Sequence, residues 1–327
     1  MKKIAFFNIK GGSGKTTSVT SIAHISAEKG KRVLLVDVDP QASSTSMFSD
    51  ENIYEEFCKE ESSRIENSIK RLLMDIHMDP HMCVSHTKYE KLDIVKADFS
   101  LIEAEREIVL DDSAPQQNRL KINLDKLSNE YDFCLIDCGA NAGLININAL
   151  VAADEVLIPT SSDAYSLMNI RNTMEMIENV SEFNVKLNPI GILYTRWEDK
   201  KINELSLELI EERYHDLVLP IKIRKSKDCE ETTYMRIPLL EYNKKSNAVQ
   251  DYIKLAGYIA APNRKKYLKD LQPLTVLETE QKMLINKKNN LKGKSTKGKN
   301  AREIQSITKR IKELQKEIDS LRNSLVK

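Results

Sequence analysis

The chain has 327 residues, 41% hydrophobic and 30% charged, with a formal net charge of +1. That balance excludes a disordered or fibrous chain, and no apolar run reaches the roughly 18–20 residues of a membrane span, so a soluble globular protein with one large domain and an appendage is expected. The near-zero charge conceals an asymmetry: residues 262–327 hold 18 Lys/Arg against 7 Asp/Glu, a net of +11, so residues 1–261 carry −10. A basic tail on an acidic body points to a tail that meets something anionic, or the body itself.

From the first residue, Met1-Lys2-Lys3 leads straight into Ile4-Ala5-Phe6-Phe7, a buried-strand pattern without a signal-peptide core. Lys10-Gly11-Gly12-Ser13-Gly14-Lys15-Thr16-Thr17 follows, and then Val19, Ile22, Ala23 and Ile25 at helical spacing. Strand, glycine loop, Lys-Thr and helix together describe a phosphate cradle. The glycines let backbone N–H groups turn inward, the helix N-terminus adds partial positive charge, Lys15 reaches the β/γ-phosphates and the Thr16 hydroxyl ligates Mg2+. The ordinary P-loop would need glycine where Ile9 stands; this chain adds Lys10 at the loop entrance instead.

Residues 32–37 read as a second buried strand, ending in Asp37-Val38-Asp39-Pro40-Gln41. Residues 63–76 read as a helix with Ile65, Ile69, Leu72 and Leu73 on one face. His77, His81, Cys83 and His86 come next, but Pro80 breaks the helix that would align the first two, so a polar surface loop is expected rather than a metal cluster. Strands are predicted at 92–95, 133–137, 155–159, 189–194 and 216–220, with a polar helix near 116–129. Apolar strands alternating with helices predict an α/β fold: a mostly parallel twisted sheet with helices on both faces. Ligands in such sheets sit at the carboxyl ends of strands, where the phosphate loop, Asp37, Asp39 and Asp137 all fall. The five cysteines form no CxxC pair, which fits reduced thiols.

Residues 221–227 follow the last predicted strand and concentrate four positive charges: Lys222, Arg224, Lys225 and Lys227. Beyond residue 261 a helix is expected over 274–291, then a flexible lysine-rich connector over 292–299 with Gly293 and Gly298. Ile304, Ile307, Ile311, Leu314, Ile318, Leu321 and Leu325 then recur at alternating steps of three and four. This a/d seam suits a parallel dimer coil, in which Glu317 would pair with Arg322 across the interface, or an antiparallel hairpin with the 274–291 helix. A partner-binding or lipid-binding helix is a third arrangement, weakened for membrane by the absence of Trp and Phe from the stripe.

The loop K-G-G-x-G-K-T-T, the Asp37–Gln41 box, the Φ-Φ-Φ-Φ-D strand ending at Asp137 and the run Asn148-Ala149-Leu150-Val151-Ala152-Ala153-Asp154 resemble the ParA/MinD family of deviant Walker A ATPases, most of all its ParA-type partition members. The resemblance covers roughly residues 1–260. It implies a P-loop NTPase domain over 1–261, with 262–327 as a helical or coiled-coil extension outside the family pattern. ATP and Mg2+ would be the cofactors. Lys10, Gly11, Gly12, Ser13, Gly14, Lys15, Thr16 and Thr17 would hold nucleotide, and Thr16, Asp39 and Asp137 the metal, the last through water. Lys10, Lys15 and Asp39 would be catalytic, Asp39 beside the attacking water and Lys10 crossing an ATP-sandwich homodimer to the partner subunit's phosphates; Asp37 would support the loop. The resemblance also implies non-specific DNA binding near Lys222, Arg224, Lys225 and Lys227, slow hydrolysis stimulated by a ParB-like centromere-binding partner, and a cytoplasmic, nucleoid-associated location. A MinD-like membrane-cycling ATPase and a nucleotide-switched regulator with little turnover are the alternatives. Two departures stand out: Ala42-Ser43-Ser44 where glycine-asparagine is commoner, and Cys138-Gly139-Ala140-Asn141 where most relatives carry two prolines in the switch II loop.

Overall fold

The computed structural model describes residues 1–49, 64–161, 166–294 and 299–326. They divide into two compact units, Met1–Lys254 and Leu255–Lys327, so the boundary falls inside a helix, a few residues before the expected 261/262.

The first unit is built on eight strands: β1 (Lys2–Phe6), β2 (Val33–Val38), β3 (Val84–His86), β4 (Leu92–Val95), β5 (Phe133–Cys138), β6 (Glu155–Thr160), β7 (Asn188–Trp197) and β8 (Val218–Arg224), in the order β3-β4-β2-β5-β1-β6-β7-β8. Every neighbouring pair is parallel except β3–β4, an antiparallel edge that the sequence did not signal. The register sets Phe6 and Asp37 on either side of Asp137, which aligns the carboxyl ends of β1, β2 and β5. β2 and β5 are buried at every position, as central strands covered on both faces must be.

Among the described residues the helices of this unit are, in chain order, α1 (Lys15–Glu28), α2 (Ser43–Met47), α3 (Ile69–Met74), α4 (Leu101–Val109), α5 (Arg119–Lys126), α6 (Leu144–Ala152), α7 (Ser166–Val180), α8 (Lys201–Tyr214), α9 (Asp228–Met235), α10 (Leu239–Tyr242) and α11 (Asn247–Ala260), the last of which crosses the boundary. The helix expected over 63–76 shrinks to α3, because the Asp98 carboxylate takes the Ile65 N–H and holds that residue outside the helix, ahead of a turn at Glu66 and Asn67; residue 63 lies outside the described residues. His81 bridges Asp79 and Glu130 at 2.6 and 2.7 Å, His86 pairs with Asp93, His77 is exposed and Cys83 is buried.

One strand is displaced from its expected place. A 3-10 turn occupies His215–Leu217, and β8 runs on to Arg224. Its burial alternates, with Leu219, Ile221 and Ile223 inward and Pro220 exposed. Pro220 cannot donate to a ladder and is tolerated on an edge strand. Lys222 and Arg224 therefore belong to the edge strand itself and not to the segment after it.

The second unit is helical, with α12 (Arg264–Lys294) and α13 (Lys299–Val326) antiparallel. Arg310 binds Glu280, Arg322 binds Glu278 at 2.8 Å, Lys287 binds Glu303 at 2.9 Å, and Gln281 bonds Gln315. Leu271, Leu274, Ile307, Leu314 and Ile318 are buried. Each buried Leu or Ile contributes about 1.5–3 kcal/mol and each exposed ion pair at most about 1, so the apolar seam dominates the pairing. Of the arrangements open to the heptads, this is the hairpin. Glu317 and Arg322, expected to pair across a parallel dimer, instead bind Arg310 and Glu278 within one chain. Of the expected connector, residues 292–294 extend α12, while 295–298 lie outside the described residues. No helix among the described residues is long and apolar enough to cross a membrane.

Candidate functional site

The loop after β1 is shaped by side chains that carry no motif. Asn8, fully buried, donates to the Pro159 carbonyl at 2.8 Å, and its own side-chain oxygen accepts the Lys10 N–H at 2.9 Å. The chain is thereby turned out of the sheet at the place where the glycine loop begins. Gly12 and Gly14 take φ of 71° and 85°, the left-handed region open to glycine at little cost. At Gly14 a Cβ would also come within 3.1–3.2 Å of the Thr195 side chain. Thr195 lies near the end of β7, and its hydroxyl is 2.9 Å from both the Ser13 and Thr160 carbonyl oxygens. Sequence reasoning missed Asn8 and Thr195, since a single polar residue at a strand end gives no pattern.

Lys15 is buried, and its ammonium donates to the Lys10 carbonyl at 3.0 Å. Burial lowers its pKa, opposed by Asp137, Cys138 and Asp39. Lys10 is half-buried at the loop entrance, its ammonium 3.5 Å from Ser161 Oγ, with its pKa lowered by burial and by the nearby Arg196 guanidinium.

Asp37 and Asp137 are fully buried and face each other across β2 and β5. Burial pushes both carboxyls up, and the neighbouring Asp137 raises Asp37 further. Asp37 accepts from Thr45 N–H and hydroxyl, both at 2.8 Å, and from Asp39 N–H, so it fastens the loop after β2, as expected. Asp137 takes the Ser44 hydroxyl at 2.7 Å on one oxygen, with the Thr16 hydroxyl also stabilising its charge; its other oxygen, Oδ1, is buried without a partner. An orphaned buried carboxylate oxygen beside a second carboxylate is costly unless a cation answers it. The donors here, carboxylate and hydroxyl oxygens, are those a hard divalent cation prefers.

The Ala42-Ser43-Ser44 departure has a structural account. Ala42 adopts φ 51°, a conformation glycine takes more easily, at a cost of about 1–2 kcal/mol. Ser44 supplies the hydroxyl on Asp137. Asp39 follows β2, and its carboxyl carbon lies 3.7 Å from where a Gly139 Cβ would stand. A Cβ on Gly11 would be 3.9 Å from Ala140. The loop after β5 thus lies against both the glycine loop and Asp39.

That loop is held by Asn146 of α6, which is 1% exposed. Its side chain accepts the Gly139 N–H at 3.0 Å and donates toward the Gly139 and Asn141 carbonyls. With no proline to stiffen the loop, Asn146 does so by hydrogen bonds. Asn146→Ala strands these buried groups and is expected to lower stability by about 1–3 kcal/mol, read as a lower denaturation midpoint at unchanged slope. Unchanged stability would mean the loop holds itself.

A cavity of about 330 Å³ lies beside the glycine loop and another of similar size beside the loop after β5. One is lined by Gly14, Thr17, Thr195, Arg196 and Cys229; the other by Asp39, Gln41, Glu105, Ala140 and Asn146.

The structure thus gathers Lys10 to Thr17, Asp39 and Asp137 at neighbouring strand ends. The basic run is disposed differently. Lys222 lies 3.9 Å over the Trp197 ring, and Arg224 forks onto the buried Asp251 at 2.7 and 2.8 Å. Lys225 and Lys227 have looser carboxylate partners, Glu198 at 3.5 Å and Glu231 at 4.0 Å.

Comparison with known proteins agrees with this geometry. A family model described as an AAA domain matches residues 1–189. The chain is 33% identical over 264 residues to the sporulation initiation inhibitor protein Soj of Bacillus subtilis, covering 80% of this chain and 98% of that one. It is 31% identical over 261 residues to the chromosome partitioning protein ParA of Myxococcus xanthus, covering 77% and 85%. Among solved structures, cobyrinic acid a,c-diamide synthase from Mycobacterium smegmatis with bound ADP and magnesium superposes with a TM-score of 0.65 at 25% identity, over 79% of this chain and 94% of that one. The chain belongs to the ParA/MinD family of P-loop ATPases, on the side of its ParA partition proteins.

Proposed function

We propose that this protein is a Mg2+-dependent partition ATPase that dimerises around ATP, binds DNA without sequence preference and hydrolyses ATP slowly until a ParB-like partner stimulates it. The convergence of Lys15, Thr16, Asp39 and Asp137 at the carboxyl ends of three adjacent strands, with Lys10 at the mouth, carries this reading.

In this reading the backbone N–H groups of Gly11 to Gly14 and the start of α1 cradle the phosphates, and Lys15 leaves the Lys10 carbonyl to meet them. The cavity beside Gly14 and Thr17 would take the base and ribose. Thr16 and Asp137 would hold Mg2+, with Asp39 close by, and the ion would supply charge neutralisation to the phosphates. Asp39 orients the attacking water, since phosphoryl transfer asks chiefly for positioning and charge neutralisation. The Asn146-held loop touches both Asp39 and the glycine loop, a route by which the γ-phosphate could be sensed. Lys10 of each subunit reaches the other's phosphates.

Light scattering with ADP and with a non-hydrolysable ATP analogue tests the dimer. A dimer with the analogue and a monomer with ADP are expected; a monomer in both states would remove the sandwich. A MinD-like membrane cycle is not favoured, because the C-terminal seam that a lipid-binding helix would need is spent between α12 and α13.

A further inference from the structure

Arg224 and Lys222 are tied to partners within the first unit, so the basic run at β8 offers a polyanion fewer than its four charges. We propose that the outer face of α13 is a phosphate-binding surface for duplex nucleic acid, engaged whatever nucleotide is bound. The inference rests on the DNA-binding part of the function above and assigns a contact site outside the family domain.

Most of the hairpin's carboxylates are engaged within it, Asp319 by the Gln315 side-chain amide at 2.8 Å. The carboxylates of Glu278, Glu280, Glu303 and Glu317 are taken by Arg322, Arg310 and Lys287. Glu313 too lies 4.0 Å from Arg310. Lys309, Lys312 and Lys316 are exposed, and among the described residues none of the three has a carboxylate partner. Their spacing of three and four puts them on one face of the helix. Like charges so placed repel by a few tenths of a kcal/mol per pair, a cost that a bound polyanion turns into attraction.

The dimensions suit a duplex. From Lys309 to Lys316 the helix rises about 10 Å, and each strand of duplex DNA advances about 3.4 Å per phosphate, so the stripe spans about three phosphates of one strand, as many as its lysines. A lipid surface is the poorer match. A helix lying on a membrane needs a free apolar face, whereas Ile307, Leu314 and Ile318 are buried between α12 and α13.

The test uses the full chain and a labelled random-sequence duplex, titrated from about 50 to 200 mM salt without nucleotide, with ADP and with ATP–Mg2+. Each phosphate contact contributes about 0.9 to the slope of log affinity against log salt, so K309Q/K312Q/K316Q should lower the nucleotide-independent slope by about 2–3 and weaken binding about a hundredfold at low salt. The triple Lys→Arg variant should retain binding, which separates lost charge from lost folding. The increment that ATP adds reports the proposed ATP-dependent dimer: its absence, with the nucleotide-independent slope still falling in the Gln variant, strikes that function and leaves the hairpin site standing. An unchanged slope overturns the site. So does a Gln variant that loses only binding to anionic vesicles, or only self-association through the acidic first unit.

Discussion

Lys10→Ala is expected to lower ATP turnover by about 10³-fold or more while leaving nucleotide affinity within a few-fold. A cation delivered across a subunit interface to a transferring phosphoryl group is worth about 10³–10⁵ in rate, because it answers charge that grows in the transition state. Lys10 is suited to the task by its place at the entrance of the glycine loop, half-buried, with burial and Arg196 both disfavouring an isolated charge there. Anionic phosphates would relieve that penalty. Single-turnover hydrolysis and nucleotide titration separate chemistry from binding. The cross-subunit geometry has its own readout: Lys10→Ala mixed with an Asp39 variant should recover turnover, since a mixed dimer assembles one site with an intact Asp39 and a Lys10 from the other chain. If the mixture stays as inactive as its parts, Lys10 acts within its own subunit. If Lys10→Ala alone turns over normally, the sandwich mechanism is wrong.

Asp39→Asn carries the second large effect. Turnover should fall about 10²–10⁴-fold, the usual worth of a positioned acid–base group, with ATP still bound and the ATP-dependent dimer intact. The distinction from Asp37 is physical. Asp37 is fully buried and its acceptor oxygens are consumed by Thr45 and Asp39, so it can hold the loop but cannot reach water. Asp39 stands past the strand end beside Gly139 and lines an open cavity. Equal losses of binding and turnover in Asp39→Asn would assign it to holding nucleotide and metal, and normal turnover would remove it from the mechanism.

The parts of this protein that could be read from the chain are those whose conformation is set by near neighbours in sequence. The glycine loop needs left-handed backbone at Gly12 and Gly14, and the residues that allow it are contiguous with the strand and helix they join. Asp37, Asp39 and Asp137 were legible because a parallel sheet sends the ends of its strands to one edge. The braces were not. Asn8, Thr195 and Asn146 act on segments up to 182 residues away, and nothing near them in sequence distinguishes them from any other buried polar side chain.

Charge shows the same division. The sequence alone established an acidic body, a basic tail, a phosphate cradle with an added lysine and the strand-end carboxylates around it. It placed Lys222 and Arg224 after the last strand because a strand over 216–220 fits the local pattern equally well; the edge position of β8, where Pro220 is tolerated, decided otherwise. Which cations are spent and which face solvent was settled by partners brought close only in three dimensions, Asp251 for Arg224 and Trp197 for Lys222. The heptads likewise specify an apolar stripe but not what covers it. A second copy and a neighbouring helix bury the same side chains, and the neighbour tethered by a short connector stands at the higher effective concentration, so the tertiary structure closes the seam as a hairpin and turns Lys309, Lys312 and Lys316 outward.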